Sequence, residues 1–138
     1  MQASLTPGVV GTRTVTIDRA RTIDHLGENL RVYATPELVR DYEITCRELL
    51  LKHCDPNEDS VGTGISVTHS GASLLGMQVE IRVEVTAVNG RLVKFALKAD
   101  DGIEEVSTGE HTRAVVDVEK LRARVAAKAA KAVKATEV

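Results

Sequence analysis

From Met77 to Ala87 the chain alternates without a break. Met77, Val79, Ile81, Val83, Val85 and Ala87 are apolar, and Gln78, Glu80, Arg82, Glu84 and Thr86 between them are polar. A period of two is the signature of a strand buried on one face, and it cannot give a helix a single apolar side. Asn89-Gly90 follows directly. This dipeptide tolerates positive φ and predicts a tight hairpin. A return strand is expected from Leu92 to about Ala99, a second turn at Asp101-Gly102, and a third strand from Ile103 to Val116 that is long enough to hold a bulge at Gly109. The C-terminal half is therefore an antiparallel meander with an apolar face in need of a cover.

The cover is predicted upstream, where helix-start signals coincide at Thr35-Pro36-Glu37. The Thr35 hydroxyl can cap, Pro36 suits the first turn, and Glu37 complements the helix dipole. Leu38, Val39, Tyr42, Cys46, Leu49 and Leu50 recur at steps of three and four, and Asp55-Pro56-Asn57 should end the helix near Lys52 or His53. Shorter strands are expected at Thr14–Asp18 and at Ile65–Val67. One amphipathic helix on a curved antiparallel sheet is an α+β arrangement of the hotdog kind, although the pattern alone fits other α+β folds too. The expected organisation is a flexible arm over residues 1–13, one domain over 14–125, and an Ala/Lys-rich helix end or tail over 126–138. From Asp117, with Val118, Leu121 and Val125 at helical spacing, a short helix that frays into solvent along the Ala/Lys-rich tail is expected.

Composition narrows the function classes. The 138 residues carry a formal net charge of -2, which offers no electrostatic case for nucleic acid or an anionic membrane. Aromatic residues make up 2%, too few for a base-stacking platform. No apolar run approaches the ~20 residues of a membrane helix. The N-terminal stretch has no secretory pattern. Cys46 and Cys54, if both helical, would stand roughly 12 Å apart, too far for a disulfide. Two free thiols fit a reducing cytoplasm. No Gly-x-Ser-x-Gly elbow or phosphate loop is present. His25, His53 and His111 form no metal-ligand spacing, so neither a metal nor another cofactor is expected.

Two residues stand out chemically. Glu43 lies four after Val39 and three before Cys46, which places a carboxylate in or at the rim of the apolar stripe, where burial is costly without partners. His69 ends the strand that begins at Ile65, beside the turn Ser70-Gly71-Ala72, a suitable place for a proton-transfer group or a structural histidine. Thr35 has a sufficient role as a cap, and could also touch a substrate at the helix N-terminus. Gly62 and Gly64 flank Thr63, where a backbone N–H could approach a ligand, or where the chain simply turns.

Three blocks of sequence resemble the fluoroacetyl-CoA thioesterase-like family. They are Val32-Tyr33-Ala34-Thr35-Pro36-Glu37-Leu38-Val39 followed by Glu43, then Ser60 to His69 with its Gly-Thr-x-x-x-Val-x-His pattern, and Gly109-Glu110-His111-Thr112-Arg113-Ala114-Val115-Val116. They occur in family order and cover nearly all of residues 14–125. The resemblance implies a hotdog fold, a homodimer, and hydrolysis of an acyl-CoA thioester by Thr35, Glu43 and His69. Gly62 would offer its N–H to the thioester carbonyl, and Arg113 would contact the CoA phosphates. Members specific for fluoroacetyl-CoA carry phenylalanines in the segment before the threonine. Here Thr22–Tyr33 has none, so another short-chain acyl group is equally compatible. A non-hydrolytic hotdog protein binding an acyl-CoA or other small ligand is the alternative.

Overall fold

The computed structural model describes residues 1–136. Five strands form one antiparallel sheet: β1 Val10–Thr16, β2 Glu58–His69, β3 Gln78–Asn89, β4 Leu92–Asp100 and β5 Glu105–Asp117, in the spatial order β1-β3-β4-β5-β2. A 17-residue helix, α1 Thr35–Leu51, packs on one face of the sheet, against β1, β2 and β3, and α2 is Val118–Thr136. This is the hotdog arrangement.

The alternation foreseen from Met77 is realised as β3. Val79, Ile81, Val83 and Val85 are completely buried, and Val93, Phe95, Leu97 and Ala99 continue that face on β4. The turn between them centres on Gly90-Arg91, because Asn89 still pairs with Leu92, and only Gly90 adopts positive φ, +60°. That is the pattern of a turn with glycine at its first central position. Against the apolar face lie Leu38, Asp41, Tyr42, Thr45, Cys46, Leu49 and Leu50 of α1, at alternating steps of three and one. Such spacing keeps one stripe of a helix against the sheet.

The inward face of β5 differs. Ser107, His111, Arg113 and Val115 are buried there, and Ser60 of β2 lies beside them. The core is thus apolar beneath β3 and β4 and polar beneath β5 and β2. The polar half is where a site could form, because its groups must find partners on α1 or on one another.

Several expectations are corrected. β1 begins at Val10, inside the segment expected as an arm. Residues before it are docked: Leu5 is buried, Gln2 N–H donates to His53 O at 2.8 Å, and Gly8 N–H donates to Val85 O at 2.8 Å. β2 starts at Glu58, not Ile65, because its first half pairs with the end of β5. Gly109 is not a bulge; it pairs regularly with Val67. A Cβ at Gly109 would lie 2.4 Å from Ser66 O, so close strand approach requires glycine there. The irregularity falls at Gly62/Gly64 instead, with Thr63 the extra residue. α2 is 19 residues long, where a short fraying end was expected, and the final two positions of the expected tail, 137 and 138, lie outside the described residues. Cys46 and Cys54 are both buried and free.

Candidate active site

α1 begins with Ala34 in the N-cap position and no side-chain cap. Thr35 is therefore not the cap its type suggested. It occupies the first helical position, and its hydroxyl turns to His69 at the end of β2, with Oγ1 2.8 Å from Nδ1. His69 Nε2 is buried without a hydrogen-bond partner. Burial, the largest cause, lowers the His69 pKa from its ordinary value. A neutral imidazole bonded at Nδ1 and bare at Nε2 can hand on or receive one proton at that bare nitrogen.

The wall of this pair is Tyr33, whose ring meets His69 edge-on with centroids 6.0 Å apart. Its hydroxyl donates to the Asp41 carboxylate. Arg21 donates to both oxygens of the same group, Nε to Oδ2 at 3.0 Å and Nη2 to Oδ1 at 3.1 Å. Burial first, then this bond to Asp41, raises the Tyr33 pKa, so the phenol stays protonated. Asp41, 2% exposed, is the fully buried carboxylate of α1. It lies three residues after Leu38 and one before Tyr42, so the helical stripe could have revealed it. Neither the helical stripe as first drawn nor the family blocks gave a role to Asp41, Tyr33 or Arg21.

Glu43 is only half-buried, at the rim of the stripe. It faces β2, where Oε1 lies 2.9 Å from the position a Cβ on Gly62 would take. His111 Cε1 and Arg113 Nη1 border the same space at 3.2 and 3.5 Å. Gly62 does not have positive φ, so it is glycine here for room and not for backbone conformation. Among the described residues the Glu43 carboxylate makes no hydrogen bond, and the Thr35 hydroxyl is taken by His69. Thr35 and Glu43 are eight residues apart on one helix, about 12 Å at 1.5 Å per residue. One chain thus holds two separate groups, Thr35–His69 and Glu43–Gly62.

Arg113 was expected at the CoA phosphates, yet it is 5% exposed and its guanidinium is used internally. Nε donates to Ser60 Oγ at 2.8 Å, Nη2 to Ser60 O at 3.0 Å, and Nη1 to His111 Nε2 at 3.2 Å. The reason is the inward side of β5, which Arg113 shares with His111 and Val115. Among the described residues no cluster of three or more His, Cys, Asp or Glu is placed to hold a metal. None of the described helices is long and apolar enough to cross a membrane.

The sequence profile of the fluoroacetyl-CoA-specific thioesterase family matches residues 17–119. A relative from Streptantibioticus cattleyicolor, fluoroacetyl-CoA thioesterase, is 35% identical over 112 residues, covering 76% of this chain and 81% of its own. A solved structure of the fluoroacetyl-CoA thioesterase FlK superposes with a TM-score of 0.81 at 31% identity, covering 91% of this chain and 98% of that one. A thioesterase superfamily member from Thermus thermophilus reaches 0.86 at 19% identity over 97% and 99% of the two chains, which shows the shared fold.

Proposed function

Because the chain belongs to the fluoroacetyl-CoA-specific thioesterase family and is an acyl-CoA thioesterase, we propose that two copies assemble its active site. The observation that carries this reading is the separation of Thr35–His69 from Glu43–Gly62 within one chain. The outer edge of β2 is unpaired, and it exposes Val61 and Ile65. An exposed, partly apolar edge strand is a template for another strand. Antiparallel pairing of β2 with β2 of a second copy, about a twofold axis near Ile65-Ser66, would set Gly62 of one copy opposite His69 of the other, since the two positions are equidistant from that centre. Each homodimer would then carry two complete sites.

In each site the Gly62 N–H polarises the thioester carbonyl and receives the developing oxyanion. Glu43 supplies the carboxylate. It either takes a proton from the attacking water or attacks the carbonyl itself, giving an anhydride that water then cleaves. Arg113, held by Ser60 and His111, brings a positive charge beside Glu43 and Gly62. The C–S bond breaks as the tetrahedral species collapses; His69 Nε2–H hydrogen-bonds the leaving CoA thiolate, which is protonated by the proton released with the carboxylic acid product. Thr35 fixes the imidazole through Nδ1. The products are the free acid and CoA.

The acyl group is a small one, and fluoroacetyl is one candidate. The segment Thr22–Tyr33 lacks phenylalanine, and Tyr33 stands against His69. Two buried free thiols and a CoA substrate suit the cytoplasm. The test is thiol release from acetyl-, fluoroacetyl-, propionyl-, butyryl-, hexanoyl- and phenylacetyl-CoA. Wild type should turn over at least one of these, and Glu43→Gln should lose that turnover while remaining folded. Full activity in Glu43→Gln would remove the carboxylate from the mechanism. A single turnover in ¹⁸O-water tests for the anhydride route: label in Glu43 marks direct attack with water opening the anhydride at the Glu43 carbonyl, and general-base catalysis leaves none there. Sedimentation should give twice the 14.9 kDa chain mass, and a monomer with full activity would refute the shared site.

A further inference from the structure

Behind Gly62 lies a histidine to which the chemistry above gives no part beyond its bond to Arg113. His111 is 2% exposed and stacks on Phe95, with ring centroids 6.3 Å apart. Both its nitrogens have partners of fixed sense. Arg113 Nη1 stands 3.2 Å from Nε2, and a guanidinium only donates, so Nε2 accepts and carries no proton. The ring hydrogen is therefore on Nδ1, which donates to Gly64 O at 2.7 Å. The imidazole is neutral and held in one tautomer.

We infer that His111 is a positioning residue for thioester hydrolysis, holding the β2 bulge beside Gly62 through Gly64 and the countercharge of Glu43 through Arg113. The inference rests on the reading that Gly62 and Glu43 act at the thioester carbonyl. The bulge needs such a support. The register slips by one residue between Gly62 and Gly64, so Thr63 lacks a ladder partner, and glycine on either side gives the backbone little stiffness of its own. The bonds that tie this stretch across to β5 side chains or beyond the regular ladder are His111 Nδ1 to Gly64 O and Thr63 Oγ1 to Thr112 O at 3.2 Å. The same ring also backs Gly62, with Cε1 3.2 Å from the position of a Cβ there.

At its other end His111 completes the set of acceptors that orient Arg113, the other two being Ser60 Oγ and Ser60 O. The groups facing the ring are Arg113 from β5, Glu43 from α1, the Gly64 carbonyl from β2 and Phe95 from β4. A second proton on the ring would aim an N–H at the Arg113 guanidinium and set two cations side by side, with Glu43 the carboxylate that acts on both. Burial, the largest influence, also disfavours that cation.

Imidazole ¹⁵N resonances of the labelled wild type, assigned with His111→Gln, test the geometry at neutral pH. They should show a protonated Nδ1 and a bare Nε2 for His111. An Nε2–H tautomer or a cation would overturn the inference, and this measurement does not depend on any variant folding. Two variants test the function. His111→Asn keeps an N–H near Gly64 O and loses the acceptor for Arg113, whereas His111→Gln retains an acceptor that can reach Arg113 and loses the bond to Gly64. For ångström-scale misplacement of reacting groups, each should lower kcat about 10- to 100-fold with KM little changed. A purely structural role would instead lower the melting temperature and leave the kcat of folded protein intact, and that result would refute positioning. If Glu43→Gln keeps full turnover, the parent reading fails; if Glu43→Gln is inactive and both folded His111 variants match wild type, this inference alone fails.

Discussion

Gly62→Ala is the substitution for which the geometry makes the sharpest demand. The new Cβ would lie 2.9 Å from Glu43 Oε1 and 3.2 Å from His111 Cε1. Ordinary contact begins near 3.4 Å, so the carboxylate must retreat by about half an ångström and the ring by a few tenths. Glu43 Oε1 is the free end of a flexible side chain, and it can move without disturbing the fold. The loss of unfolded-chain entropy on adding a methyl, about 0.4–1 kcal/mol in favour of folding, offsets part of the crowding. Net stability should change by less than about 1 kcal/mol, a shift of roughly 4 °C in melting temperature for a chain of this size. Catalysis is less tolerant. A misplacement of about 1 Å can cost 10²-fold, so half that movement should cost about tenfold in kcat, equivalent to about 1.4 kcal/mol in the barrier. Thiol release under substrate saturation measures kcat, and a calorimetric melt measures stability. Unchanged kcat in Gly62→Ala would refute the view that Glu43 must hold its place beside Gly62. A large loss of stability with normal kcat would show that the space between α1 and β2 serves packing and not chemistry.

Asp41→Ala strips Arg21 and the Tyr33 hydroxyl of their buried acceptor. It should destabilise the protein by about 3 kcal/mol, the low end for breaking a buried pair because Arg21 retains a quarter of its side-chain exposure, as read by urea denaturation. A change under a few tenths of a kcal/mol would mean that water replaces the carboxylate. Gly109→Ala drives a Cβ to 2.4 Å from a backbone oxygen of β2, which cannot swing away, and stability should fall by about 1–3 kcal/mol or more on the same assay. His69 and His111 both have lowered pKa values, chiefly through burial. The unfolded chain therefore binds their protons more readily, so the stability they confer is full above the unfolded value of about 6.5 and is lost as pH falls toward the folded values. Unfolding free energy measured from pH 8 to pH 5 should decline below about 6.5, and a flat profile would contradict the buried, neutral state of both rings.

Much of the architecture was legible because it is written in local periods. The alternation from Met77 fixes which side of β3 is buried, and the three-and-four spacing after Thr35 fixes the stripe of α1, whatever these elements pack against. Gly90 turns the hairpin by its own backbone freedom. The family blocks pointed to Thr35, Glu43, His69, Gly62 and Arg113 as a set. What the chain order could not supply is the distance between elements. That Thr35 bonds His69 across 34 positions, and that Glu43 meets Gly62 while standing about 12 Å from Thr35, follows from how α1 lies over β2. The Tyr33–Asp41–Arg21 cluster escaped notice because a buried carboxylate is recognisable only by the partners that three separate segments bring to it. His111 and Arg113 carried a usable signal, since both fall on the same side of β5 as Val115. Their bonds to Gly64 and Ser60 arise only when β2 pairs with β5, and with them the polar half of the core. Sequence by itself determined the elements and their faces, because side-chain periodicity is a property of each segment alone. The tertiary structure decided the chemistry, because hydrogen bonds between remote side chains exist only after the sheet has set their register.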